Sequence, residues 1–227
     1  MKKAKKILAL LMCAVLLVGA SIAGTVAYLT SQDEVVNNFT VGQVKISLDE
    51  AIINSAGEPL RDQPRVQTND YHLLPGHYYS KDPQVHVIAD SEDCYVRMFV
   101  TLTKASEWDA ICSKYGKGAT DLFVGLSDAW TYKSSTPGVA GENTRTYEFW
   151  YSTKVTGVPE NTNLDLDALF AGIQMPDELT NDDLATLDDD FKIYVVAQAI
   201  QADGFADADK AFVAAPAITG TALMPTA

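Results

Sequence analysis

Three histidines, His72, His77 and His86, fall within fifteen residues of one another, with Asp70 and Asp82 nearby, and they are the chain's only histidines. Zinc needs such ligands to converge tetrahedrally, and the HExxH helix that achieves this in zinc peptidases is absent. In an extended stretch from Gln84 to Ala89, His86 shares a face with Gln84 while Val85 and Val87 point the other way. That reading makes it a surface histidine, and leaves the trio as weak metal candidates.

Other chemistry is equally sparse. Asp182-Asp183 and Asp188-Asp189-Asp190 are acidic enough for calcium, but EF-hand spacing is missing and a solvated acidic turn accounts for them. No GxSxG elbow marks a nucleophilic serine. Asn38-Phe39-Thr40 has the form of a glycosylation acceptor and no further support. Tyr95, Phe99, Tyr147, Phe149, Trp150 and Tyr151 offer either a sugar-binding platform or ordinary strand packing. No cofactor is implied.

The cysteines read as packing residues. Cys13 lies in the N-terminal apolar run and lacks a lipobox. A strand from Cys94 to Thr103 advances roughly 30 Å, whereas a helix ending at Cys112 returns only about 10 Å. A disulfide needs Cα atoms within about 7 Å, so Cys94 is expected in the core and Cys112 on the apolar side of a helix.

The elements that would position these residues are mostly strands. Cys94, Val96, Met98, Val100 and Leu102 alternate with Tyr95, Arg97, Phe99, Thr101 and Thr103, the pattern of a half-buried strand. Phe191, Ile193, Val195, Ala197 and Ala199 alternate likewise. Shorter strands are predicted at Gln84–Ala89, Trp130–Lys133 and Tyr147–Thr153. Helical spacing predicts short helices at Ser106–Tyr115 and Leu164–Ile173, with a weaker turn at Asn181–Leu187, and the Gly-, Ser- and Thr-rich stretch Ser134–Thr146 reads as a loop. The expected fold is an all-β, jelly-roll-like antiparallel β-sandwich with short inserted helices.

The N-terminus is expected to direct export. Lys2, Lys3, Lys5 and Lys6 precede an uncharged run from Ile7 to Ala27 that ends in small residues. This is the order of a secretory signal, with Thr25 and Ala27 at the −3 and −1 sites and cleavage between Ala27 and Tyr28; Ser21 and Ala23 form an alternative upstream site. An uncleaved anchor is the rival reading, since about 20 apolar residues span a bilayer, but no stop-transfer charges follow. The formal net charge is −13, more acidic still without the signal's lysines. Such a chain does not suit nucleic acid or anionic lipid. The expected organisation is a signal at 1–27, a strand segment at 28–43, a sandwich at 44–215 and a tail at 216–227.

One irregularity follows the signal. Leu29, Val35, Phe39 and Val41 occupy odd positions, whereas Val44, Ile46 and Leu48 occupy even ones. A one-residue shift sends every side chain to the other face, so a bulge at Gly42 is the simplest repair. Val44 to Leu48 then fills the chain's own core, while Tyr28 to Val41 is either free to pair elsewhere or a frayed terminus.

Gly24-Thr25-Val26-Ala27-Tyr28-Leu29-Thr30, followed by Asn38-Phe39-Thr40-Val41-Gly42, resembles the start of the secreted TasA/camelysin (CalY) proteins of Firmicutes. Pro75-Gly76, Lys81-Asp82-Pro83 and Cys94-Tyr95-Val96-Arg97 resemble that family's PG…KDP…YVR region, and Ile200-Gln201-Ala202-Asp203-Gly204-Phe205 its last strand and exit. Ser106 to Asp189 carries little of the likeness. The resemblance implies a jelly-roll subunit of extracellular fibres, processed by a SipW-type signal peptidase and located in the matrix or on the surface of a Gram-positive bacterium. Its expected partners are copies of itself, other matrix proteins and polysaccharide. The assembly mechanism expected from the residues is donation of the 28–41 strand to a neighbour, with Leu29, Val35, Phe39 and Val41 pointing inward and Asp33 departing from the pattern. Camelysin's metallopeptidase designation supplies a competing expectation, and a monomeric adhesin a third.

Overall fold

The computed structural model describes residues 42–138, 142–187 and 190–224, together with Met12. The expected signal, its cleavage site at Ala27 and Tyr28, and the segment bearing Leu29, Val35, Phe39 and Val41 lie outside the described residues. Asp188 and Asp189 do too.

Among the described residues the strands are β1 (Ile46–Asp49), β2 (Tyr78–Ser80), β3 (Gln84–Val87), β4 (Cys94–Thr103), β5 (Phe123–Val124), β6 (Trp130–Pro137), β7 (Thr144–Tyr151), β8 (Leu164–Asp165), β9 (Gly172–Gln174) and β10 (Ile193–Gln201). Three helices accompany them: α1 (Ala105–Tyr115), α2 (Asn181–Leu187) and α3 (Ala208–Ala214). All strand pairing is antiparallel, in a four-stranded sheet ordered β10-β4-β7-β6 and two three-stranded sheets ordered β1-β3-β8 and β2-β9-β5. The fold is the expected all-β sandwich with short helices.

One apolar cluster unites the sheets. Val96, Met98 and Val100 of β4, Val85 and Val87 of β3, Tyr147 and Phe149 of β7 and Ile173 of β9 all contribute to it, none more than 2% exposed. The chain steps from β2 into β3 through Lys81-Asp82-Pro83, where proline, lacking an N–H, suits a break in pairing. Helix α1 buries Ala105, Trp108, Ile111 and Cys112, a single helical face. It ends at Gly116, whose left-handed φ of 65° lets its N–H reach the Cys112 carbonyl.

The structure departs from the sequence reading in four places. Strand β4 is buried on both faces, because Arg97, Phe99 and Thr101 on its outer side are no more than 8% exposed beneath a C-terminal covering. Phe212 of α3 packs at a tilt against Trp150, and Gln198 Nε2 donates to the Pro216 carbonyl. The helix expected at Leu164–Ile173 is instead β8, a connecting loop and β9. The loop expected at Ser134–Thr146 contains the far ends of β6 and β7, which pair as far as Pro137 and Arg145. Finally, His86 does face away from Val85 and Val87, yet its side chain is only 14% exposed between two carboxylates.

Candidate functional site

Among the described residues, the flank of the sandwich formed by β1 and β10 is incomplete. These strands lie beside each other, yet among the described residues they do not pair. Val44, Ile46 and Leu48 along β1, and Ile193, Val195, Ala197 and Ala199 on β10, point into the apolar cluster but remain half-buried. Every residue of β10 from Ile193 to Ile200 is partly exposed.

Hydrogen-bond phase identifies the backbone groups that are left without a strand partner among the described residues. Thr103 N–H donates to the Lys192 carbonyl at one end of the β4–β10 ladder, and Ala202 N–H to the Asp93 carbonyl at the other. With the register between them unbroken, Tyr194, Val196, Gln198 and Ile200 direct their backbone groups toward β4. Ile193, Val195, Ala197, Ala199 and Gln201 direct theirs away from β4, to an edge that no strand of the described residues pairs with. On β1, Ile88 N–H donates to the Lys45 carbonyl, so Val44, Ile46 and Leu48 likewise face away from β3.

The opposite edge of the four-stranded sheet is built differently. The register of β6 against β7 shifts between Tyr132 and Ser134, bulging the strand at Lys133, and β6 ends in Pro137. The Lys133 ammonium lies 4.1 Å from the centroid of the Trp150 ring. A bulge, a lysine and a proline obstruct further strand addition. β10 has none of these along its nine residues, IYVVAQAIQ.

Below the β1 edge lies a polar network that sequence reasoning did not assemble. Arg65 binds the carboxylates of Asp49 and Asp82, the latter at 2.9 Å, and Asp82 Oδ1 also accepts from Ala51 N–H at 2.7 Å. Lys81 and Glu50 form an ion pair at 2.5 Å, each residue 5% exposed. Burial, with Glu50 beside it, pushes the Tyr71 phenol far above its usual range, so it remains a hydrogen-bond donor. Of the motif residues, Lys81 and Asp82 thus fasten the 51–80 excursion to the sheet. Arg97 binds Gln198 of β10 and Glu148 of β7 and stacks on Phe99 and Phe212.

The histidines take separate roles. His86 bridges Asp165 of β8 at 2.6 Å and Asp49 of β1 at 2.9 Å. Burial lowers its pKa, but these hydrogen bonds outweigh it and the net shift is upward. His77 Nε2 sits 2.9 Å from the Ala56 carbonyl and its ring packs edge-on against Tyr79, whose hydroxyl binds the His72 carbonyl. Among the described residues no group of three His, Cys, Asp or Glu side chains converges as a metal site.

The remaining candidates are structural. Cys94 and Cys112 are buried and unpaired, and burial pushes both thiols up to about 11. Asp183 accepts from Lys114, Tyr115 and Thr180, which hold its carboxyl well below the usual range. Tyr147 and Phe149 face the core, while Phe99 and Trp150 face the C-terminal covering, so the aromatic residues do not form one platform. Gly42 is exposed; a Cβ there would lie 2.9 Å from Glu92 Cγ. No helix among the described residues is long and apolar enough to cross a membrane. Compared with protein-family models, curated proteins and solved structures, the chain matches none.

Proposed function

We propose that this protein is a secreted structural subunit that assembles head-to-tail into extracellular fibres, its 28–41 segment completing the sandwich of the next copy. The observation that carries this reading is the open β1–β10 flank. An extended strand laid there would satisfy the outward backbone groups of β10 while its alternate side chains finish the core. Leu29, Val35, Phe39 and Val41 provide apolar side chains of one parity, interrupted by Ser31, Asp33 and Asn37, each contributing about 1.5–3 kcal/mol when fully buried. The edge hydrogen bonds add about 0.5–1.5 kcal/mol apiece.

The geometry of such a contact is heterologous, because donor and acceptor are different surfaces. Repetition gives an open filament rather than a closed ring. Cleavage after Ala27 by a SipW-type peptidase would release the donor from the membrane, making export processing the assembly switch. The resemblance to TasA and camelysin is the second support, and it extends the partners to other matrix components.

Electron microscopy of protein beginning at Tyr28, beside protein beginning at Gly42, tests the reading. Filaments are expected only from the longer form. Phe39→Asp in the longer form should abolish filaments while leaving the monomer's melting intact, since a charge would enter an apolar groove. Val44→Asp should damage folding itself. Filaments that persist in Phe39→Asp would refute donation by this segment.

A further inference from the structure

We propose that Glu50, Lys81 and Asn69 form an autocatalytic site that joins the Lys81 and Asn69 side chains through an intramolecular isopeptide bond. Glu50 touches both reacting groups. Its Oε2 lies 2.5 Å from Lys81 Nζ, and its Oε1 accepts from Asn69 Nδ2 at 2.8 Å. The carbonyl oxygen of the same amide, Asn69 Oδ1, accepts from the backbone N–H of Ile53 at 3.1 Å. Tyr71 covers the cluster, its hydroxyl 3.4 Å from Glu50 Oε1 and its ring centroid 5.4 Å from Lys81 Nζ.

Each contact corresponds to a role in acyl transfer between side chains. A lysine normally keeps its ammonium in water, and a buried ion pair is a weak source of stability because desolvation offsets attraction. Lys81 is nevertheless 5% exposed. A buried lysine beside a carboxylate that also holds a carboxamide is arranged as nucleophile, proton carrier and acyl donor.

The steps balance within the cluster. One proton passes from the Lys81 ammonium to the Glu50 carboxylate, leaving a neutral amine. Its lone pair attacks Asn69 Cγ, forming the new C–N bond, while negative charge develops on Oδ1 against the Ile53 N–H. Glu50 returns its proton to Nδ2, and the nitrogen of Lys81 sheds a second proton through the same carboxylate. The Cγ–Nδ2 bond breaks, ammonium departs, and Glu50 ends as the carboxylate it began as. No oxidant, metal or cofactor is consumed. The product clamps the excursion that follows β1 to the start of β3.

Tryptic mapping of the purified full chain by mass spectrometry tests this. Trypsin cuts after Arg65, after an unmodified Lys81 and after Arg97, with no other lysine or arginine between them. The cross-link predicts one peptide, Val66 to Arg97, uncut at Lys81 and lighter by one ammonia. Separate peptides Val66–Lys81 and Asp82–Arg97 at full mass would overturn the proposal. So would loss of ammonia with Lys81 still cut, the mark of a succinimide at Asn69-Asp70. Asn69→Ala and Glu50→Gln should each restore cleavage at Lys81 in folded protein, and a Glu50→Gln chain that still cross-links would remove Glu50 from the mechanism. Should Glu50→Gln fail to fold, the wild-type map and Asn69→Ala decide the matter.

Discussion

Glu50 and Val66 exchange both of their backbone hydrogen bonds, N–H to C=O at 2.8 Å in each direction. This bridge closes the outer edge of β1 at its C-terminal end. Among the described residues it leaves Val44, Ile46 and Leu48 without a partner on the side facing β10, so the donated strand proposed above would have a defined limit there. The fastening of the 51–80 excursion therefore also bounds the proposed acceptor.

Proline scanning of β10 distinguishes its two edges. Ala197 directs its N–H outward, so Ala197→Pro removes a group that β4 does not use. The monomer should fold and melt within a few degrees of the parent, while filaments are lost. Val196→Pro removes an N–H directed at Phe99, and thus a ladder bond, so it should destabilise the monomer itself. Filaments from Ala197→Pro protein, seen by electron microscopy, would exclude β10 as the acceptor.

How far the sequence revealed this arrangement depends on the range of the interactions. β4, β10 and the helix α1 were legible because alternation and 3.6-residue spacing are local signals. Leu166, Leu169, Phe170 and Ile173 also have helical spacing, but Leu166 N–H goes to the Val85 carbonyl, and the Asp167 carbonyl accepts from the Trp130 indole. Tertiary partners therefore claimed the backbone that a helix would have used. The far half of β6 was missed because Ser134 to Pro137 are mostly exposed on an edge and carry no apolar alternation. The Lys81-Asp82-Pro83 motif was visible, but its partners Glu50 and Arg65 were not. Ion pairs between residues as much as thirty-one positions apart leave no periodic trace.

Arg97 should be among the chain's most sensitive surface-layer positions. Its side chain is 10% exposed, ties β10 to β7, and lies between Phe99 and Phe212. Arg97→Ala removes the Glu148 carboxylate's cation and leaves it only the Trp150 and Ser134 hydrogen bonds, a loss below the about 3–5 kcal/mol of a fully buried pair. Arg97→Met keeps most of the aromatic contact and should lose less. Urea titration measures both, and limited tryptic cleavage after Lys210 should accelerate in Arg97→Ala as α3 loosens.

His86 predicts a loss of stability toward alkaline pH. Its neighbours Asp49 and Asp165 raise its pKa against the effect of burial, and Arg65 binds the same Asp49. A folded-state pKa above the unfolded value of about 6.5 stabilises fully below that pH and is lost as pH rises through the folded value. Melting temperatures recorded from about pH 5 to 9 should show this decline in the parent and not in His86→Gln. An unchanged slope in the variant would remove His86 as its source.

Asp183 works with the opposite sign. Hydrogen bonds from Lys114, Tyr115 and Thr180 hold its carboxyl low, so its contribution is present above the unfolded value of about 3.9 and is lost as pH falls through the folded one. Because those donors come from both α1 and the start of α2, protonation releases the contact between the two helices rather than a single surface pair. Asp183→Asn should lower the melting temperature at neutral pH and flatten the acid limb of the stability profile. Trp108 of α1 packs against Phe191, just beyond α2, so its fluorescence offers a local probe of that release. An acid transition identical in parent and variant would mean that the Asp183 cluster does not govern acid stability.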